Sequence, residues 1–102
     1  MKACCREYLI GQFGDDEDVL NEIYAEYARS LAEKIAEIET ALGAGDFTTV
    51  DRSAHAVKGN SLAAGDPDVA AVAIKLRQTA KLQDKGESEN LLAKLKDFLA
   101  QL

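Results

Sequence analysis

The single histidine of the chain, His55, is the residue best suited to covalent chemistry, because imidazole is a good neutral nucleophile near physiological pH. Lys58, Gly59 and Leu62 follow it at i+3, i+4 and i+7, a spacing that places them on the same side of a helix as His55. A lysine one turn from the ring could stabilise an anionic transition state. These four residues predict a reactive site on the surface of a helix.

The helix that carries His55 has an apolar side opposite the ring. Val50, Ala54 and Val57 lie on that side, so we expect His55 to face solvent. Asp51 lies within about 60° of His55 on the helical wheel. An aspartate and a histidine are thus expected to share one exposed face.

Two residues on this face have no role in a helix of ordinary composition. An interior glycine such as Gly59 costs about 0.5–1 kcal/mol relative to alanine, and the wheel gives it no buried position. Leu62 projects an apolar side chain from a surface that is otherwise polar. Residues that depart from the usual composition of a helix often mark a functional site when they lie together. Gly59 and Leu62 therefore predict a docking surface centred on His55.

The pattern of apolar residues at three- and four-residue steps predicts five helices, over about 4–12, 15–43, 46–64, 67–84 and 88–101. Short connections favour antiparallel neighbours, so the expected fold is all-α, an up-down-up-down four-helix bundle with a short extra N-terminal helix. In that first helix, Tyr8, Leu9 and Phe13 are expected to cover one end of the core. Lys85 and Gly86 are expected to end the fourth helix.

Length and charge restrict the class of protein. A chain of 102 residues suits one domain over 1–102. Its net charge of -6 argues against nucleic acid or a membrane surface as partner, since both need clustered cations. No apolar run suggests a signal peptide or a membrane span, so a cytoplasmic protein is expected. Cys4 and Cys5 are adjacent and have no second pair of ligands, so no metal site is expected.

The segment from Ala54 to Ser61, followed by Gly65, resembles the signature of histidine-containing phosphotransfer (HPt) domains. The match combines residue types, their spacing and their placement in a helix. It extends over nearly the whole chain, because a short first helix, a long second one, the histidine helix and two further helices follow in the family's order.

The resemblance implies a phosphorelay intermediate of two-component signalling, which is a phosphocarrier without kinase activity of its own. His55 would accept a phosphoryl group from the aspartyl phosphate of a receiver domain and pass it to another receiver. Lys58 would stabilise the phosphate. No cofactor is expected on this chain, because the magnesium ion that this chemistry uses is bound by the receiver.

The resemblance also implies a docking surface. Gly59 would let the partner's loops approach the ring, Leu62 would supply an apolar contact, and Arg52 would add electrostatic steering beside Asp51. The expected partners are response-regulator receiver domains, or a hybrid sensor kinase that contains one. A monomer is expected.

Two alternatives remain open from the residues alone. The first is a helical interaction or dimerisation module with no phosphotransfer, in which His55 is incidental. The second is an enzyme that uses His55 as a general base, which needs a cleft and a carboxylate that orients the ring. Only Asp51 is close in sequence for that role.

Overall fold

Five helices account for nearly all of the chain, as the periodicity of its apolar residues predicts. The computed structural model describes residues 1–102 and contains no strand, which confirms the all-α prediction. The helices are α1 (Ala3–Phe13), α2 (Glu17–Gly43), α3 (Phe47–Ala63), α4 (Pro67–Lys81) and α5 (Lys85–Ala100). No helix combines the length and the apolar run that a membrane crossing requires.

Aspartate side chains begin three of the helices. Asp16, Asp46 and Asp84 accept hydrogen bonds from backbone N–H groups in the first turns of α2, α3 and α5, which otherwise lack partners. The Asp84 cap corrects one expectation, since Lys85 and Gly86 begin α5 and do not end α4. The fourth helix ends at Lys81, and a tight turn through Gln83, with φ of 55°, leads into the last helix.

The core lies between four helices that contact one another in a closed order. α2 packs on α3, α3 on α4, α4 on α5 and α5 on α2, while α1 packs on α2. One cluster of 22 buried hydrophobic residues runs through this arrangement. Its largest fully buried side chains are Leu9, Leu20, Leu31, Ile38, Leu76, Leu91 and Leu95. Burial of these side chains is the main force that holds the helices together.

The short helix α1 covers the core less completely than expected. Leu9 is fully buried, but Tyr8 and Phe13 are 41% and 56% exposed. The Tyr8 side chain instead lies against the backbone at Gly65, where a Cβ atom would come within 2.3 Å of the Tyr8 Cβ. Gly65 also has a φ of 72°. Glycine is therefore required at this turn both for its conformation and for the close approach of α1.

A fully buried acid, Asp66, joins three parts of the chain. Its carboxylate accepts hydrogen bonds from Lys2 Nζ at 2.6 Å and from the Tyr27 hydroxyl at 2.8 Å. The Tyr24 hydroxyl accepts a hydrogen bond from the Lys2 backbone N–H. We call Lys2, Tyr24, Tyr27 and Asp66 the buried carboxylate cluster. The sequence suggests Asp66 as a helix cap, but its side chain makes no capping hydrogen bond in α4.

Candidate functional site

His55 occupies the middle of α3 and is exposed to solvent. Ala54 and Val57, its neighbours on the inner side of the helix, are buried in the core. This is the orientation that the helical wheel predicts, since residues one and two positions away point to another side of the helix. The core therefore fixes the helix while it leaves the imidazole ring at the surface.

An arginine from the next helix binds the ring. Arg77 Nη1 on α4 lies 2.9 Å from His55 Nδ1. The same guanidinium donates from Nε to Asp51 Oδ1, one turn before the histidine, at 2.8 Å. We call Asp51, His55 and Arg77 the histidine cluster. Its one contact with the ring is at Nδ1, which leaves the other ring nitrogen, Nε2, without a partner in the fold.

Lys58 belongs to the same surface, beside α4. It is half-buried, and it lines a shallow depression with Ile74, Arg77, Gln78 and Lys81. Three of these five side chains are cationic in a protein whose net charge is -6. The structure thus places a local positive region next to the histidine, between α3 and α4.

Arg52 makes no hydrogen bond or ion pair with the histidine cluster. The pKa of the Asp46 carboxyl lies below its usual value, chiefly because Thr49 donates hydrogen bonds to it and in part because the positive charge of Arg52 is near. Arg52 thus lies toward the start of α3. The neighbouring predicted residue, Asp51, contacts Arg77 rather than the ring, so it does not serve as the orienting carboxylate that a general-base enzyme would need.

Gly59 and Leu62 lie on the exposed side of α3, as predicted. A Cβ atom added at Gly59 would meet no atom within 4 Å, so the packing of this chain does not require glycine there. Leu62 is 51% exposed. On α4, Ile74 is also exposed, at 43%. The surface around His55 therefore contains apolar side chains and open backbone that the fold itself does not use.

Arg77 and Ile74 are the site residues that the sequence analysis missed. They lie three residues apart on α4, with Lys81 four residues further, so all three follow one side of that helix. Helical spacing alone could have grouped them. It could not show that this side of α4 faces His55, because that depends on how α3 and α4 pack.

One group of side chains could be considered for a metal ion. The ligand atoms of Cys4, Cys5 and Asp66 lie within 4.8 Å of one another. Both carboxylate oxygens of Asp66 already bind Lys2 and Tyr27. Burial raises the pKa of the Cys5 thiol to about 12, which opposes the thiolate that metal binding needs. These residues fit a hydrogen-bonded cluster better than a metal site.

One protein family is similar in sequence to most of the chain. The family model of the Hpt domain matches residues 22–102, from within α2 to the end of the chain. The chain belongs to the Hpt domain family. Hpt domains are histidine phosphotransfer modules of phosphorelays, and the matched part of this Hpt domain contains the whole histidine cluster. Comparison with curated proteins finds no match, and neither does comparison with solved structures.

Proposed function

We propose that this Hpt domain is a phosphorelay intermediate in which Nε2 of His55 carries the phosphoryl group. His55 accepts the group from the aspartyl phosphate of one receiver domain and returns it to the aspartate of another. The observation that carries the proposal is an exposed imidazole, on the family-matched part of the chain, that is bound through Nδ1 and open at Nε2.

The fold suits this role because it holds the ring on a rigid surface. We infer that α2 to α5 form an up-down-up-down bundle within a single domain of residues 1–102, with α1 as an added helix. Connections of three residues between α2, α3, α4 and α5 favour antiparallel neighbours, and the closed order of helix contacts supports the arrangement.

The chemistry requires little beyond correct placement and charge. The Nε2 lone pair forms a bond to phosphorus while the bond from phosphorus to the aspartyl oxygen breaks and its electrons remain on the carboxylate. Negative charge on the three equatorial oxygens of the transition state favours a nearby cation. Lys58, one turn from His55 on the same surface as Arg77, is our candidate for that cation. The magnesium ion is assigned to the receiver, so this chain has no cofactor in the proposal.

The docking surface follows from the same geometry. A receiver has an acidic active-site pocket, and the region of Lys58, Arg77 and Lys81 offers it complementary charge. Gly59 leaves space for the receiver's loops, and Leu62 supplies an apolar contact at the docking surface.

The remaining properties are also proposals. We infer a phosphocarrier without kinase activity, a monomer that acts in the cytoplasm with response-regulator receivers or with a hybrid sensor kinase. Nucleic acid and membrane surfaces are not its proposed partners, given the net charge of -6. Cys4 and Cys5 are free thiols, which suits a reducing compartment.

The test is phosphoryl transfer from an aspartyl-phosphorylated receiver to the wild-type chain and to His55→Gln. The wild type is expected to gain an acid-labile, alkali-stable label, and His55→Gln is expected to gain none while its thermal unfolding is unchanged. Lys58→Gln should slow transfer about tenfold, because a cation beside the transferred group is lost. Lys94→Gln removes the same charge from an exposed position on α5 and should leave the rate unchanged.

Two results would contradict the proposal. Label on the His55→Gln variant would place the phosphoryl group elsewhere. A wild-type chain that binds partners yet accepts no label from any receiver would favour the interaction module.

A further inference from the structure

The contact between Arg77 and His55 determines which ring nitrogen carries the proton. A guanidinium has only donors and stays charged, so Arg77 Nη1 donates and His55 Nδ1 accepts across the 2.9 Å that separates them. A neutral imidazole has one N–H and one acceptor nitrogen. With Nδ1 as acceptor, the proton of the neutral ring is on Nε2.

This tautomer is the wrong one for the transfer step. A protonated Nε2 has no free lone pair in the plane of the ring and cannot attack phosphorus. Nε2, the nitrogen that lies open to a partner, is therefore not nucleophilic while Arg77 stays in place. The nucleophilic tautomer carries its proton on Nδ1. In that tautomer the Nδ1–H of His55 would point at an N–H of Arg77 Nη1, so it cannot coexist with this contact.

We propose that Arg77 is a positioning residue that withholds the Nε2 lone pair of His55 until a docked receiver draws the guanidinium away. The inference rests on the proposed function of His55. A receiver's acidic pocket offers carboxylates to which Arg77 can turn. Asp51 holds Nε of Arg77 in the free protein, so the guanidinium returns to a defined place after the partner leaves.

The proton of the imidazole ring changes place during the proposed transfer. When Arg77 leaves Nδ1, the proton moves from Nε2 to Nδ1 through water, and the ring stays neutral. Nε2 then bonds to phosphorus as the aspartyl P–O bond breaks and the carboxylate keeps its electrons. The ring now bears a positive charge, which it loses when the Nδ1 proton passes to solvent. Nδ1 is again an acceptor, and Arg77 can donate to it in the phosphorylated form.

The decisive measurement is nitrogen-15 NMR of the imidazole ring in the free, unphosphorylated chain at a pH where the ring is neutral. In the wild type, Nε2 is expected to be the protonated nitrogen and Nδ1 the acceptor. Arg77→Met removes the donor and should raise the fraction of the Nδ1-protonated tautomer severalfold. Lys81→Met is the matched control, because it removes the same charge from the same depression without touching His55.

Kinetics extend the test to the partner. If the reactive tautomer is scarce, the rate of transfer scales with its population, so Arg77→Met should accept phosphate severalfold faster than Lys81→Met. Both variants are compared at equal folded fraction, which circular dichroism measures.

Several results would overturn the inference. One is a wild-type ring that carries its proton on Nδ1, and another is an Arg77→Met spectrum identical to that of Lys81→Met. A third is a shifted tautomer with slower transfer than in Lys81→Met. Failure of every variant, the wild type included, to accept phosphate would instead refute the proposed function, while the spectra still decide where the proton lies.

Discussion

The buried carboxylate cluster and the histidine cluster share one plan and differ in exposure. In each, an aspartate binds a cationic side chain from another part of the chain. Asp66 has no solvent exposure and both of its oxygens have partners. The side chains of Asp51 and Arg77 keep 29% and 27% of their exposure, and His55 Nε2 has no partner. Similar hydrogen bonds thus lie inside the fold at one place and, at the other, leave one ring nitrogen open to a partner.

The largest difference between the clusters is expected from matched substitutions of their acids. Asp66→Asn should cost roughly 3 kcal/mol of unfolding free energy, because it leaves the Lys2 charge largely buried without its counterion. Asp51→Asn should cost less than about 1 kcal/mol, since its ion pair is partly solvated. Urea denaturation measures both values. Equal losses of unfolding free energy in the two variants would show that solvent exposure does not determine how much each ion pair stabilises the fold.

The next largest change in stability is expected from substitutions of two glycines, Gly65 and Gly59. Gly65→Ala should destabilise the chain by about 2 kcal/mol, because φ is 72° and the new Cβ would overlap Tyr8. Gly59→Ala should stabilise it by about 0.5–1 kcal/mol, since the Cβ meets open space within a helix.

Thermal denaturation of both glycine variants, together with transfer assays, checks this contrast. Transfer should fall only in Gly59→Ala, when rates are compared per folded molecule. Loss of stability in Gly59→Ala would show that the fold, and not a partner, requires that glycine.

The last expected effect is absent at neutral pH, because it is a loss of stability at alkaline pH that arises in the buried carboxylate cluster and its neighbour Cys5. Burial raises the pKa of the Cys5 thiol from 9.0 to about 12. Burial and the hydrogen bond to Asp66 raise the pKa of Tyr27 as well. The folded state therefore keeps protons that the unfolded chain releases, so the stability contributed is present below pH 9.0 and falls as the pH rises above it.

Melting temperatures measured between about pH 8 and about pH 11 test this, with an expected slope for Cys5 of about 1 kcal/mol per pH unit. Cys5→Ala should show a shallower decline than the wild type. A parallel decline in both would assign the alkaline sensitivity to other groups.

Sequence periodicity was sufficient for the helices and for the exposed face of α3, because those depend on local spacing. Its error at Lys85 and Gly86 also has a local cause. Glycine usually marks a helix end, but here Asp84 caps the following helix and Gly86 lies in its first turn.

Contacts between distant residues could not be predicted in the same way. Arg77 lies 22 residues from His55, and Lys2 lies 64 residues from Asp66. Each pair depends on how separate helices pack, which one helical wheel does not describe. An aspartate before Pro67 has the sequence pattern of a helix cap whatever its side chain contacts, so this pattern does not show that Asp66 binds Lys2 and Tyr27.

The position of His55 at the middle of α3 limits how many partners can bind at the ring at one time. The ring has eight residues of α3, about 12 Å, on either side, and lies on the flank of a molecule 43 Å long and 19 Å wide. A partner of ordinary size covers about 800 Å², or about a seventh of the total surface of 5599 Å². In the proposed function, two receivers that both approach His55 Nε2 must compete for the same surface. The phosphoryl donor and the acceptor would then bind one after the other, and the residence time of the first would limit the rate of the proposed relay.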